Sequence, residues 1–104
     1  MRKITRLAID AFMSATPFKQ SNTEVVVVET CSDLLLHGYL IARKFHITNN
    51  LYITDAGFQT NITMERLNGI PDVRISQKNS QWFLNGVSWD GRMVKINHST
   101  WEYL

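Results

Sequence analysis

The chain is short of the residues that staple a protein or give it obvious chemistry. Cys31 is the only cysteine among 104 residues, so no intrachain disulfide can form, and a reducing compartment suits the chain. Nothing beside Cys31 in the sequence activates a thiol, and it reads as a small buried or turn residue. The five glycines, at positions 38, 57, 69, 86 and 91, are isolated, which excludes a glycine-rich phosphate loop. His37, His46 and His98 have no histidine or cysteine partner at the spacing of a zinc site. No G-x-S-x-G elbow occurs. No apolar run is longer than the four residues 25–28, far short of the roughly 20 needed to span a bilayer. The N-terminus has the basic start of a signal peptide, but Arg6 and Asp10 interrupt its apolar stretch. The net charge is +2, from 11 basic and 9 acidic residues, too mild to imply nucleic acid by itself. Together these absences predict a cytoplasmic protein without cofactor, metal or membrane partner.

What is present describes one small folded domain. At 104 residues, 44% of them apolar, the chain is long enough for one hydrophobic core and too apolar to be disordered. No repeat, low-complexity tract or linker divides it, although residues 97–104 could form a tail. Residues 2–15 place Ile4, Leu7, Ala8, Ala11, Phe12 and Ala15 at helical spacing, and Thr16-Pro17 stops the helix. PFKQSN reads as a loop. EVVVVET reads as a central strand covered on both faces, because four consecutive valines leave neither face polar. Gly38 divides LLLH from YLIARKF as a turn or bulge, Asn49-Asn50 makes the next turn, and LYITD is a further strand.

TNITMERLNGIP then shows both ends of a short helix. Thr60, Asn61 or Thr63 can cap its start, Gly69 stands where a left-handed C′ residue belongs, and Pro71 follows as a stop. Ile62, Leu67 and Ile70 are its expected core contacts. VRISQK alternates as a strand should. WFLNGVSWDGRMVKI reads as strands joined by hairpin turns at Asn85-Gly86 and Asp90-Gly91. Two helices among short hairpin-connected strands give an α+β class, with a small antiparallel sheet, an N-terminal helix and a short middle helix.

The search for catalytic groups yields only turn residues. Carboxylate pairs could be Asp55 with Asp90 or Glu24 with Glu29; Asp90 stands beside a turn glycine and Asp55 two residues before one, where turn duty explains them. Cys31 with a distant histidine has no local signature. The expectation is therefore a protein that is not an enzyme. TNITMERLNGIP is not a helix-turn-helix reader, because a strand-like segment precedes it. It reads as a structural clasp, with Asn61, Arg66 and Asn68 as the alternative of a polar contact surface.

Several stretches, RKITRLAIDAF, SNTEVVVV, LLLHGYLIA, ITDAGFQTNITMERLNGI and WFLNGVSWDG, resemble a family of small tailed-bacteriophage proteins of unknown function. The resemblance covers most of the chain, and TMERLNGI and WFLNGVSWDG are its most distinctive pieces. It carries over no catalytic residues. It implies a phage accessory protein that works by stoichiometric binding to a host protein, an inhibitor of a host defence system in its sharpest form. Arg2, Lys3 and Arg6 cluster at a helix N-terminus, where positive charge is unfavourable unless a partner is acidic. With Trp89, Trp101 and Tyr103 they are the expected contact residues, since aromatics and arginines anchor interfaces, with a place in the core as the equal alternative for Trp89. The alternative is a nucleic-acid-binding module. It would use Arg74, Lys78, Arg92 and Lys95 on neighbouring strands, with Trp82 and Trp89 interleaved and Arg43 and Lys44 adding charge. A homodimer formed through exposed strand edges is a third possibility.

Overall fold

A computed structural model describes residues 1–96 of the chain, so Trp101, Tyr103, His98 and the tail lie outside the described residues. Helix α1 (Lys3–Met13) is followed by strands β1 (Phe18–Gln20), β2 (Thr23–Val27), β3 (Cys31–Leu36), β4 (Tyr39–Phe45) and β5 (Leu51–Ile53). Helix α2 (Asn61–Leu67) then leads into β6 (Ile75–Lys78), β7 (Gln81–Leu84), β8 (Val87–Ser88) and β9 (Val94–Ile96). The strands form a six-stranded antiparallel sheet in the order β1-β2-β3-β4-β5-β9 and a three-stranded sheet in the order β6-β7-β8. This is the α+β class expected from the sequence.

Register shows which side chains face the helices. Val25 pairs with Leu34, Leu34 with Ala42, Ala42 with Ile53 and Leu51 with Ile96. All six of these residues are buried and share one core with Ala8, Ile9, Phe12, Leu67, Ile70, Trp82 and Trp89. The opposite face carries Glu24, Val26, Asp33, Leu35, Arg43 and Tyr52, all half-buried. The four-valine run is thus covered on one side only, contrary to the expectation: Val25 is core while Val28 is 52% exposed. Valine suits a half-covered strand because its branched Cβ packs on cross-strand neighbours as well as on a second layer. PFKQSN, read as a loop, contains the edge strand β1, whose three residues are too few to show alternation.

Turn chemistry accounts for most connections. Asn79-Ser80 and Asn85-Gly86 take left-handed angles at both positions and close β6-β7 and β7-β8 as two-residue hairpins. Asp90-Gly91 behaves differently. β9 does not return to β8 but crosses to pair with β5, so this dipeptide is a crossing point between sheets and not a hairpin turn. Gly69 also departs from the expected C′ role, since its φ is not positive. It is needed for close packing: a Cβ there would lie 2.8 Å from Thr5 Cγ2 and 2.9 Å from Ile9 Cγ1. The buried stripe of α1 is Thr5, Ala8, Ile9 and Phe12. Leu7 and Ala15, placed on the expected stripe, are exposed.

Candidate functional site

The middle helix carries the most extensive buried polar cluster. Arg66, on α2, is 2% exposed. Its Nε donates to Thr23 Oγ1 at 3.0 Å, and its Nη1 donates to Thr5 Oγ1 at 2.7 Å and to Glu65 Oε1. Asn22 Oδ1 lies 3.5 Å from Nη2 and also accepts from Thr23 Oγ1 at 2.8 Å. Glu65 in turn accepts from the Thr5 hydroxyl and from the Arg2 backbone N–H at 3.2 Å. Burial pushes the Glu65 carboxyl up, but the bonds from Thr5 and Arg2 and the Arg66 charge outweigh it, leaving the group below the usual carboxylate range. The network joins α1, α2 and β2. Glu65 supplies the negative charge that the first turn of α1 lacks, and so offsets part of the repulsion expected there for Arg2, Lys3 and Arg6.

Arg66 is therefore an internal strut rather than part of a polar contact surface. Asn68 is likewise engaged, donating to the Ile75 carbonyl at 3.0 Å and accepting from the Ile75 N–H at 2.6 Å. The α2 segment clasps the sheet. Its cap is Thr60, whose hydroxyl accepts from the Thr63 N–H at 3.2 Å.

A second buried charge is handled differently. Asp55 follows β5 and is 5% exposed. Its Oδ1 accepts from the Gly57 N–H at 2.7 Å and shapes the turn. Its Oδ2 has no hydrogen-bond donor among the described residues. The carboxylate lies against Gly91, where a Cβ would fall 1.7 Å from Oδ2. Gly91 also accepts through its carbonyl from the Asp55 N–H at 3.0 Å and the Thr54 hydroxyl at 2.8 Å. These contacts explain the Asp90-Gly91 crossing: the chain is held against β5 by groups that only a glycine can approach so closely.

Asp55 lines a pocket of about 400 Å³ between the β3–β4 turn, the loop after β5 and the start of α2. Leu36, Ile41 and Thr63 are its buried lining residues. Tyr39 and Phe58 stand exposed beside them, with ring centroids 5.1 Å apart. Asp55 is the one charged residue in the lining, which also includes His37 and Ile62. The sequence offered a partial signal in the isolated Asp55-Ala56-Gly57 turn, but nothing local joined it to Tyr39.

The expected contact residues are scattered. Arg2, Lys3 and Arg6 are exposed at the start of α1. Trp89, expected as an interface anchor, is buried in the core: its ring lies 6.3 Å from that of Trp82 and its Nε1 donates to the Arg92 carbonyl. Both tryptophans are thus unavailable for stacking bases. Of the four cations assigned to nucleic acid, Arg74 and Lys95 line one wide groove with Asp72, Ser76, Asn85 and Val87. Arg92 is paired with Asp90 at 2.8 Å, and Lys78 does not line that groove. Arg43 is held by Asp33 through two bonds of 2.7 and 2.9 Å, which raise its pKa further. Lys44 donates to Asn49. Arg43 is thus neutralised by Asp33, whereas Lys44 keeps its charge.

Among the described residues no group of three or more metal-ligating side chains comes together, and no helix is long and apolar enough to cross a membrane. Ser32 Oγ lies 2.9 Å from His46 Nε2, and His46 Nδ1 lies 3.1 Å from the Glu29 carbonyl. Ser32 is only 1% exposed, so this pair ties the β2–β3 turn to the end of β4.

A two-helix antiparallel domain with one aromatic-rimmed pocket defines a small α+β protein. The chain belongs to the Kyanoviridae Gp96 protein family, whose model matches residues 1–103, and is thus a small tailed-phage protein. No curated protein and no solved structure matches it.

Proposed function

We propose that the protein acts in the host cytoplasm by stoichiometric binding to a host protein, and that inhibition of a host defence system is its role. The observation that carries the reading is the exposed Tyr39–Phe58 pair beside an apolar pocket. Phe58 is 47% and Tyr39 54% exposed, and aromatic side chains beside a preformed pocket are the usual anchors of a protein interface. The basic start of α1 adds charge that would steer an acidic patch of the partner. The reading involves no chemistry on a substrate.

The test is affinity capture of the tagged protein from bacterial host lysate, with and without nuclease. One host protein recovered at near-stoichiometric amount, and lost on Phe58→Ala, is the expected result. Recovery of no specific protein sinks the reading.

The groove shared by Arg74 and Lys95 favours a second reading, in which the protein binds nucleic acid. Phosphate binding there would weaken steeply between low and moderate salt. Charge reversal at Arg74 and Lys95 without effect on nucleic-acid retention removes that reading.

A further inference from the structure

The geometry points to the pocket beside Asp55 as a socket for a lysine or arginine side chain of the protein partner, an inference that rests on the binding reading above. Asp55 is 95% removed from solvent, and its Oδ2, which accepts no hydrogen bond from the described residues, keeps contact with solvent, since no buried side-chain polar atom among those residues lacks a partner. An N–H donor entering the pocket would replace that solvent with a charge-assisted bond. Asp55 is also the only acidic side chain in the lining, so a phosphate or a carboxylate would be repelled. An aliphatic side chain would cover the carboxylate without pairing it, which is costly.

The walls match the rest of a basic side chain. Leu36, Ile41 and Ile62 offer apolar surface, and lysine and arginine bury their methylene stems on such surface while the charged head seeks polar partners. The Tyr39 and Phe58 rings, tilted by 55° to each other, can attract a cation passing over their faces. The site needs no rearrangement to form. The turn is held by Gly57 N–H on Asp55, by Phe58 N–H on the Asp55 carbonyl at 2.9 Å and by Ala56 N–H on Thr54 Oγ1 at 3.1 Å. A pocket of about 400 Å³ suits one side chain rather than a folded peptide segment.

The experiment titrates the full chain with capped arginine and capped lysine, and separately with capped citrulline and capped norleucine, their uncharged counterparts. Backbone amide resonances of Gly57 and Gly91 and the ring resonances of Tyr39 and Phe58 report occupancy. Saturable shifts confined to these residues are expected with the cations, about tenfold weaker or absent with the neutral probes. Asp55→Asn should abolish the difference between arginine and citrulline. Phe58→Ala, at an exposed position, should weaken cation binding several-fold and serves if the Asp55 variant does not fold. No saturable shift, or equal shifts with arginine and citrulline, overturns the socket. The two readings fail separately: a host protein whose capture survives Asp55→Asn and is unaffected by excess capped arginine leaves the binding reading standing and removes the socket. Cation binding in the pocket without any captured host protein does the reverse.

Discussion

Arg66 and Asp55 are charged side chains withdrawn from water within one small domain, and their surroundings differ in a way that separates support from recognition. Arg66 meets three hydrogen-bond acceptors within 3.0 Å and a fourth at 3.5 Å, drawn from α1, the turn before β2, β2 and its own helix. Asp55 has one protein donor, and its second oxygen keeps contact with solvent beside a pocket. A fully partnered buried ion fixes the arrangement of the elements that supply its partners, and removing it leaves those partners stranded. A half-partnered one leaves interaction energy that a ligand can use. Natural sequences depart from local satisfaction at functional sites more than elsewhere, which is why the smaller cluster carries the functional reading.

The contrast breaks most visibly at Arg66. Arg66→Met should destabilise the fold by about 3 kcal/mol, because the Thr5 and Thr23 hydroxyls lose their charged donor and Glu65 its counter-ion. Chemical denaturation monitored by tryptophan fluorescence measures it, since Trp82 and Trp89 are both core. A loss below about 1 kcal/mol would mean the network is ornamental, and the comparison with Asp55 would lose its reference.

Next in size is Gly91→Ala. The new methyl would meet the Asp55 carboxylate at 1.7 Å, at a backbone φ of +92°, with an expected cost of about 2–4 kcal/mol from overpacking and strain together. The same change in an Asp55→Ala background should cost only the backbone part, about 1 kcal/mol. A double-mutant cycle therefore measures how tightly the carboxylate is pressed against the crossing chain. Strict additivity would show that the two residues do not touch in solution.

Glu65 sharpens the Arg66 side through pH. Its folded pKa lies below the unfolded value of about 4.5, so its contribution is fully present above that value and is lost as pH falls through the folded pKa. Glu65→Gln should cost about 1 kcal/mol at neutral pH. The gap between wild type and variant should narrow once pH drops below about 4.5. A gap independent of pH would assign the effect to side-chain shape instead of charge.

These clusters were unequally legible in the sequence. Helical periodicity exposes α1, cap and stop residues expose α2, and the Asn85-Gly86 dipeptide exposes its hairpin, because those signals are local. Thr60 and Pro71 marked the ends of α2 for the same reason. Thr5 was missed as a core residue: a hydroxyl reads as polar until Arg66 and Glu65, some 60 positions away, supply its partners. The part Arg66 plays in the clasp is not legible locally, since burial of an arginine depends wholly on tertiary partners. Gly69 and Gly91 were visible as glycines, but their reasons, the approach of α1 and of Asp55, lie in packing. Tyr39 and Phe58 are adjacent only because the β3–β4 turn folds over the loop after β5. For Trp89 the sequence leaves anchor and core as equal alternatives, because composition records an aromatic ring and not which way it points, and the structure places it in the core.

The smallest expected effect on stability decides the most. Asp55→Asn keeps an oxygen that can accept from Gly57 N–H, nearly the same volume, and the Thr54 and Gly91 backbone contacts. It should therefore change stability by no more than about 0.5–1 kcal/mol, against about 3 for Arg66→Met. A carboxylate used only to shape the turn would be replaceable by the amide with no other consequence. A carboxylate kept for a cation would not: the amide presents no charge to an entering guanidinium, so stability would survive while the distinction between arginine and citrulline disappeared. If Asp55→Asn instead unfolded the domain as badly as Arg66→Met, Asp55 would be a second strut. The two buried charges would then differ only in the number of partners visible around them, and the pocket would lose its claim to be a site.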